Sequence, residues 1–353
     1  MPDFSPHSPI IQRALQGIPV TLGLPDELAG QHVLLTGGTG FFGQWLLALL
    51  YQLNLQGAGV EVSVLSRTPA RFLDSQPRYR DCSWLHWLSG DVRDLRVLPG
   101  RPVTLILHAA ADTSAAAHGR PLELFDTIVM GARRVLELAV QHGARVLLTG
   151  SGAQYGALPG ASDEDAGVVE TFAGACLSTS ANSAYGEAKR AQETLAAIYA
   201  QQHGLSVVMT RCFAFSGPGL PLDAHFAIGN FVRDALCADE IVLHSSGQAV
   251  RSYLHGADLA GWLLTLLARG QPGEVYNIGS DEAISVAALA QRVMERVSPG
   301  KPLRILGQPD DSSRSFYVPD ISRARHLGLD VWTALDQSIE SMAAWARLQG
   351  YGN

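Results

Sequence analysis

The spacing of apolar positions changes from one segment of the chain to the next. "HVLLTG" (32–37) is a short unbroken apolar run ending in glycine, the pattern of a strand buried on both faces. The following "FFGQWLLALLYQLN" repeats its apolar residues at helical spacing. "VEVSVLS" (60–66) alternates and is rich in β-branched residues, so it reads as a strand. "LHWLSGDV" is strand-like, and "VTLILHAAA" (103–111) is an apolar strand ending in small residues. "PLELFDTIVMGARRVLELAVQHG" (121–143) is a long amphipathic helix closed by Gly143. "RVLLTGSG" (145–152) is another buried strand, and "SAYGEAKRAQETLAAIYAQQHG" (183–204) a helix closed by Gly204. "LSVVMTRCF" adds a further strand. This alternation predicts an α/β fold, a doubly wound parallel sheet covered on both faces.

After "SGPG" (216–219) the pattern loosens. A helix is expected at 226–238, a short strand near "EIVLHS", a helix in "ADLAGWLLTLLARG", a strand in "GEVYNIGS" and a helix starting near Ser285. This half predicts a smaller α/β lobe over the C-terminal edge of the sheet. Residues 1–30 contain prolines and one short helical pattern, "IIQRALQG", and read as an extension. The expected organisation is an extension (1–30), a cofactor-binding domain (31–215, with a return segment near 250–283) and a mainly substrate-binding lobe (216–353). A chain of 353 residues is long enough for such a division.

Gly37, Gly40 and Gly43 lie where the first strand turns into a helix, in "TGGTGFFG". Glycines there allow a tight turn and a close approach to a pyrophosphate, whose charge meets the helix N-terminus. Thr39, Phe41 and Phe42 share that turn. An NAD site normally has an acid at the end of the second strand, on the ribose 2′-hydroxyl. Here the strand ends "VLSRTP", with Ser66 in that place and Arg67 after it, while Glu61 stands at the opposite end. A serine and a guanidinium suit a 2′-phosphate, so NADP is favoured over NAD. Asp91, followed by Val92 in "GDVRD", is placed to accept from an adenine amino group or to cap a plain turn. The small side chains of Ala109, Ala110 and Ala111 let a cofactor lie against the backbone.

"YGEAK" places Tyr185 and Lys189 four residues apart, on one face of a helix. A free phenol has a pKa of about 10 and is a poor base. An ammonium ~4 Å away, at an effective dielectric of ~20, favours the phenolate by roughly 4 kcal/mol before desolvation. A lowered phenol pKa is therefore expected, suited to exchanging a proton with a carbinol while hydride moves. Ser151, in "GSGAQYG" at the end of the preceding strand, can hydrogen-bond the same substrate oxygen.

The net charge of −7, with no run of Lys or Arg, argues against nucleic acid and anionic membrane as partners. A phosphorylated small molecule needs only one or two local positive charges. Cys82, Cys176, Cys212 and Cys237 are widely spaced and read as reduced cysteines, and no metal-type cluster of Cys and His is visible. The N-terminus lacks a basic, apolar leader pattern and "WLLALLYQL" is too short to span a bilayer, so a cytoplasmic location is expected.

"TGGTGFFG", "GDVRD", "HAAA", "GSGAQYG", "YGEAK", "RCFAFSGPG", "RSYLHGADLA" and "YNIGS" follow one another in the order seen in extended short-chain dehydrogenases/reductases. More narrowly, the chain resembles the NAD(P)-dependent sugar-nucleotide epimerase/dehydratase family. The resemblance implies a Rossmann-type domain with a C-terminal substrate lobe. It also implies a nucleoside-diphosphate sugar substrate, redox at a sugar carbinol such as C4, and a homodimer built on the helices at 121–143 and 183–204. By the same resemblance Ser151, Tyr185 and Lys189 match the catalytic triad, Arg251 an arginine on the substrate diphosphate, and Asp258 a loop-stabilising acid. Asn230 and His225 fall where the family often lines the nucleotide pocket.

The departures are informative. Ala214 stands where the family usually has Asn, and Thr127 or Ile128 replaces another asparagine. The acidic pair that 4,6-dehydratases carry after the catalytic Ser/Thr is here Gly152 and Ala153. Neither does acid–base chemistry, so a dehydratase would need Asp163 or Glu164 instead. The expected activity is therefore epimerase or ketoreductase. The alternatives are a 4,6-dehydratase with a non-standard acid/base and a non-catalytic NADP-binding regulatory protein.

Overall fold

The computed structural model describes residues 4, 7–95, 102–112, 114–158, 167–224, 226–308 and 315–352. Its central sheet has seven strands: β1 His32–Thr36, β2 Glu61–Ser66, β3 Leu85–Ser89, β4 Leu105–His108, β5 Arg145–Ser151, β6 Val207–Cys212 and β7 Val275–Ile278. They are all parallel and lie in the order β7-β6-β5-β4-β1-β2-β3. The winding direction reverses between β1 and β4, and such a reversal opens a crevice at the C-terminal ends of the strands. Register brings those ends level, with Thr36 opposite both Leu65 and His108.

Strand periodicity sorts the core onto two faces. Val33 and Leu35 of β1 pack with Trp45, Leu46 and Leu49 of the helix Phe41–Leu55 and with Leu263 and Leu267 of the helix Gly256–Arg269. Leu34 points the other way, into a cluster with Val135 and Ala139 of the helix Pro121–His142 and Ala196 of the helix Ala184–His203. Gly143 and Gly204 close these last two helices with φ of +65° and +66°, left-handed caps that a side chain would strain.

The N-terminal residues belong to the first of these cores. Short helices at Pro9–Leu15, Ile18–Thr21 and Leu24–Glu27 bury Ile11, Leu15, Leu24 and Leu28. Phe4 packs edge-on against Trp45 and Trp345, with ring centroids 5.0 and 5.3 Å away. Burying such a side chain contributes about 1.5–3 kcal/mol. Its main chain is held by Gln76 Oε1 at 2.7 Å and the Tyr79 hydroxyl at 3.2 Å.

The helices Ala227–Cys237, Val286–Val297 and Leu335–Leu348 form a separate core around Ile228, Phe231, Leu289, Val293, Ile339 and Met342. Beside it Ile241–Leu243 pairs with Leu303–Ile305. A further small sheet joins Ile284–Ser285, Val250–Arg251 and Phe316–Tyr317, and sets Tyr317 opposite Arg251. Among the described residues no helix is long and apolar enough to cross a membrane. Among them, too, no group of three or more His, Cys, Asp or Glu could hold a metal ion.

Candidate active site

The turn after β1 needs its glycines for different reasons. Gly37 has φ +75°, and a Cβ there would lie 2.5 Å from the Ala109 carbonyl oxygen. A Cβ on Gly43 would strike the backbone of Gly38, so this glycine keeps the turn close to the helix. Gly40 caps the helix Phe41–Leu55, and a Cβ there would meet only the Gly37 carbonyl, at 3.6 Å. Its open side is the space left for a ligand. The unpaired N–H groups of the helix start there, favourably for an anion.

One continuous cavity of about 1160 Å³ runs along the strand ends. Gly37, Thr39, Gly40, Phe41 and Phe42 line its first part. Ser66, Arg67, Asp91 and Val92 follow, with Ala109, Ala110 and Ala111 along β4. Ser151, Tyr185 and Lys189 come next, then Arg251 and Tyr317. Gly43 lies behind the turn, outside the lining. Asn230 is also outside it, and its Oδ1 is buried without a hydrogen-bond partner. His225, Asp163 and Glu164 lie outside the described residues.

The glycine turn, the helix N-terminus and the flat alanine wall fit a dinucleotide. At the end of the cavity beside β2 and β3, both Asp91 carboxylate oxygens accept from Arg93, at 2.9 Å each. That side-chain pairing holds Asp91 below the usual carboxylate range, and the nearby Arg67 adds to it. Arg67 itself is exposed at the rim, and β2 ends in Ser66 without an acid.

Ser151 ends β5, and its Oγ accepts from the Ala153 N–H at 3.2 Å. Tyr185 and Lys189 stand one turn apart on the helix Ala184–His203. The Lys189 ammonium donates to the Thr149 carbonyl at 2.6 Å and to Gln192 Oε1 at 3.4 Å. Burial lowers this lysine to about 8. Burial also pushes the Tyr185 phenol up to about 12, while hydrogen bonding with Ser151 pulls the other way. The lowered phenol expected from the Tyr–Lys spacing is thus corrected: burial is the largest influence on the phenol and raises it, while the ammonium's donors are directed at Thr149 and Gln192. In this state the phenol is a proton donor, suited to an oxygen that is gaining charge.

Arg251 donates to the carbonyls of Val250 and Ser315, at 2.7 and 3.0 Å, and to Ser315 Oγ at 3.2 Å. It does not pair with Asp258. That buried acid accepts instead from the Trp332 and Thr333 N–H groups and the Thr333 hydroxyl, pinning a loop of the second lobe. Burial pushes it up to about 6. Ala214 and Thr127 line the cavity, whereas Ile128 is buried with Leu124 and Ala188.

Two features were not visible in the sequence. Tyr317 enters the cavity from the second lobe, and no local pattern marks it. Behind Ser151, Arg211 forks onto Glu193 at 3.0 and 2.9 Å and stacks over Tyr155 at 4.6 Å, while the Tyr155 hydroxyl donates to Asn277 at 2.8 Å. This network braces the turn that carries Ser151.

A dinucleotide cradle at the switch point of a parallel sheet, opening into a Ser–Tyr–Lys cluster, defines a protein of the extended short-chain dehydrogenase/reductase type. The chain belongs to the NAD dependent epimerase/dehydratase family, whose model matches residues 33–279. UDP-glucuronic acid decarboxylase 6 of Arabidopsis thaliana is 28% identical over 323 residues, covering 91% of this chain and 90% of its own. A dTDP-glucose 4,6-dehydratase of Streptomyces niveus is 27% identical over 328 residues, covering 90% and 93%. The fold matches the crystal structure of UDP-glucose 4-epimerase from Thermotoga maritima with UDP-glucose, at a TM-score of 0.75 and 20% identity over 90% of this chain and 99% of that one. It also matches dTDP-glucose 4,6-dehydratase from Bacillus anthracis in complex with NAD, at a TM-score of 0.74 and 20% identity over 90% and 97%.

Proposed function

We propose that this protein transfers hydride at a carbinol, C4, of a nucleoside-diphosphate sugar. The observation that carries the reading is the single cavity that holds the glycine cradle, then Ser151, Tyr185 and Lys189, then Arg251. Gly37, Gly40 and the helix N-terminus hold the pyrophosphate of the cofactor. Ser66 and Arg67 favour NADP, with NAD as the other candidate. The nicotinamide, when bound, supplies the acceptor and donor of hydride. Ser151 and Tyr185 bind the carbinol oxygen, and Tyr185 carries the proton that leaves or joins it. Lys189 orients the end of β5 and adds positive charge. Arg251 sits where a diphosphate passes between the two lobes. Asn230 acts, on this reading, from behind the nucleotide pocket. Exposed Leu122, Met130, Val140 and Ile198 on the two long helices support a homodimer. A cytoplasmic location suits such a substrate.

Gly152 and Ala153 provide no carboxyl group, which favours an epimerase or a ketoreductase over elimination. A second reading comes from the decarboxylase relatives. Oxidation at C4 of a hexuronate gives a β-keto acid. Its C5–C6 bond breaks with loss of CO2 and without a base, C5 takes up a proton, and the ketone is reduced again. This sequence also dispenses with an acidic pair. The test is a screen of UDP-, GDP-, CDP- and dTDP-glucose and UDP-glucuronic acid, reading product mass and nicotinamide absorbance. An isomeric product without net absorbance change marks an epimerase, stoichiometric NADPH loss a reductase, loss of CO2 a decarboxylase, and loss of water a dehydratase. Tyr185→Phe should abolish whichever activity is found; unchanged turnover would overturn the reading.

A further inference from the structure

The loop after β6 has two faces. On one of them Gly219, Leu220 and Pro221 line the cavity. Behind them the chain lies against the rings of His255, Trp45 and Phe4. A Cβ on Gly217 would come within 2.9 Å of His255 Nε2, and one on Gly219 within 2.8 Å of the Phe4 ring. Between these glycines the Pro218 carbonyl accepts from Trp45 Nε1 at 3.2 Å. Trp45 stands edge-on to both other rings, with centroids 5.0 Å from Phe4 and 5.0 Å from His255. Gly217 and Gly219 have φ of +118° and +85°, conformations that favour glycine. The loop thus brings no side chain at either position, and the rings behind it decide where its backbone sits.

Trp45 and His255 belong to the framework. Trp45 lies on the helix Phe41–Leu55, and His255 caps the helix Gly256–Arg269. Phe4 comes instead from the segment that precedes the sheet. Its N–H and carbonyl are held by Gln76 and Tyr79, between β2 and β3, and its ring also meets Trp345 of the helix Leu335–Leu348. One side chain therefore joins the cofactor half, the second lobe and the cavity wall. The ring is buried, and its removal would leave a void directly behind Gly219. Backbone that loses such support opens locally at lower cost. The turn's own bond runs from the Leu220 N–H to the Gly217 carbonyl at 3.2 Å, so that amide reports whether the loop is closed.

We propose that Phe4 is a positioning residue for substrate: from the N-terminal segment it fixes the wall at 217–221, and with it the fit of the sugar nucleotide, without touching the ligand. That a sugar nucleotide lies against this wall rests on the function proposed above.

The test compares the full chain with its Phe4→Ala and Phe4→Leu variants. Hydrogen exchange is read by mass spectrometry. Isothermal titration follows NADP and NAD, and then UDP-glucose and dTDP-glucose on the cofactor-loaded chain. In Phe4→Ala, exchange over 217–222 should rise by about tenfold to a hundredfold, while β5 and the helix Ala184–His203 keep wild-type rates. The tighter sugar nucleotide should lose about tenfold in affinity, and cofactor affinity should not change. Phe4→Leu keeps part of the bulk and should fall between, and it carries the test if Phe4→Ala does not fold. A merely structural role would raise exchange throughout the chain and weaken cofactor and sugar nucleotide alike. That uniform response, wild-type exchange in the loop, or unchanged sugar-nucleotide affinity beside a loosened loop would each overturn the proposal. A selectively loosened loop in a chain whose wild type binds neither sugar nucleotide would keep the hold of Phe4 on the wall and sink the sugar-nucleotide reading instead.

Discussion

The Lys189 ammonium donates at 2.6 Å to the main-chain carbonyl of Thr149, two residues before Ser151 on the same strand. This bond ties the helix of Tyr185 to the strand of Ser151. Lys189→Ala removes both the tie and the charge, and hydride transfer is expected to fall by about 10²–10⁴. Single-turnover kinetics on the substrate found by the screen would measure it.

The same lysine predicts a pH limb. Burial lowers it to about 8, so its charge is present below that pH and lost above it. The rate should decline as pH rises through about 8. A guanidinium does not lose its proton in that range, so Lys189→Arg should move the decline upward even if it slows the reaction. A limb that stays in place would assign it to another group.

Arg67 lines one end of the cavity together with Asp91 and Asp112, and its charge helps hold both carboxylates low. Arg67→Ala should weaken NADPH by about tenfold to a hundredfold, the worth of a charge-assisted hydrogen bond, and leave NADH nearly unchanged. Fluorescence titration with both cofactors reads the ratio. Equal effects on the two would remove the 2′-phosphate reading.

Two glycines of one turn should respond oppositely. A Cβ on Gly43 collides with the backbone of Gly38, so Gly43→Ala should cost about 1–3 kcal/mol or more in a urea titration. Gly40 has φ −84° and room for a Cβ, so Gly40→Ala should stay within about 1 kcal/mol of the wild type. Gly40→Ala should nevertheless lose cofactor affinity, because the methyl group occupies the ligand's side of the turn.

His108 and His255 are both buried, and burial lowers each to about 3. An unfolded histidine titrates near about 6.5. Between those values the unfolded chain binds protons that the folded one refuses. Stability is therefore full above about 6.5 and is lost as pH falls, at up to about 1.4 kcal/mol per pH unit for each histidine. His255→Gln also removes the ring nitrogen that accepts from Ala257 N–H at 3.1 Å, so its absolute stability should drop. Its acid slope in urea midpoints should be shallower than that of the wild type. An unchanged slope would contradict the buried neutral state.

By itself, the sequence determined whatever depends on near neighbours in the chain. The apolar runs of β1 and β4, the helical spacing around Tyr185, the closing glycines at 143 and 204 and the strand-to-helix turn at Gly37–Gly43 were legible because backbone geometry imposes its period within a few residues. The ordered motifs likewise pointed to the glycine turn and to Ser151, Tyr185 and Lys189, and the fold brings Gly37, Gly40 and these three side chains to one cavity. Tertiary structure alone decided the rest. Phe316–Tyr317 is a two-residue strand and has no period to read, and its side chain meets Gly152 only because Val250–Arg251 lies between the two lobes. Phe4 and its short helices join the core only where Trp45 and Trp345 come together. The direction of the Tyr185 shift was equally out of reach, since spacing reports a charge nearby but not the water excluded from around it. Distant contacts and desolvation arise from the packed whole, and no local stretch of chain encodes them.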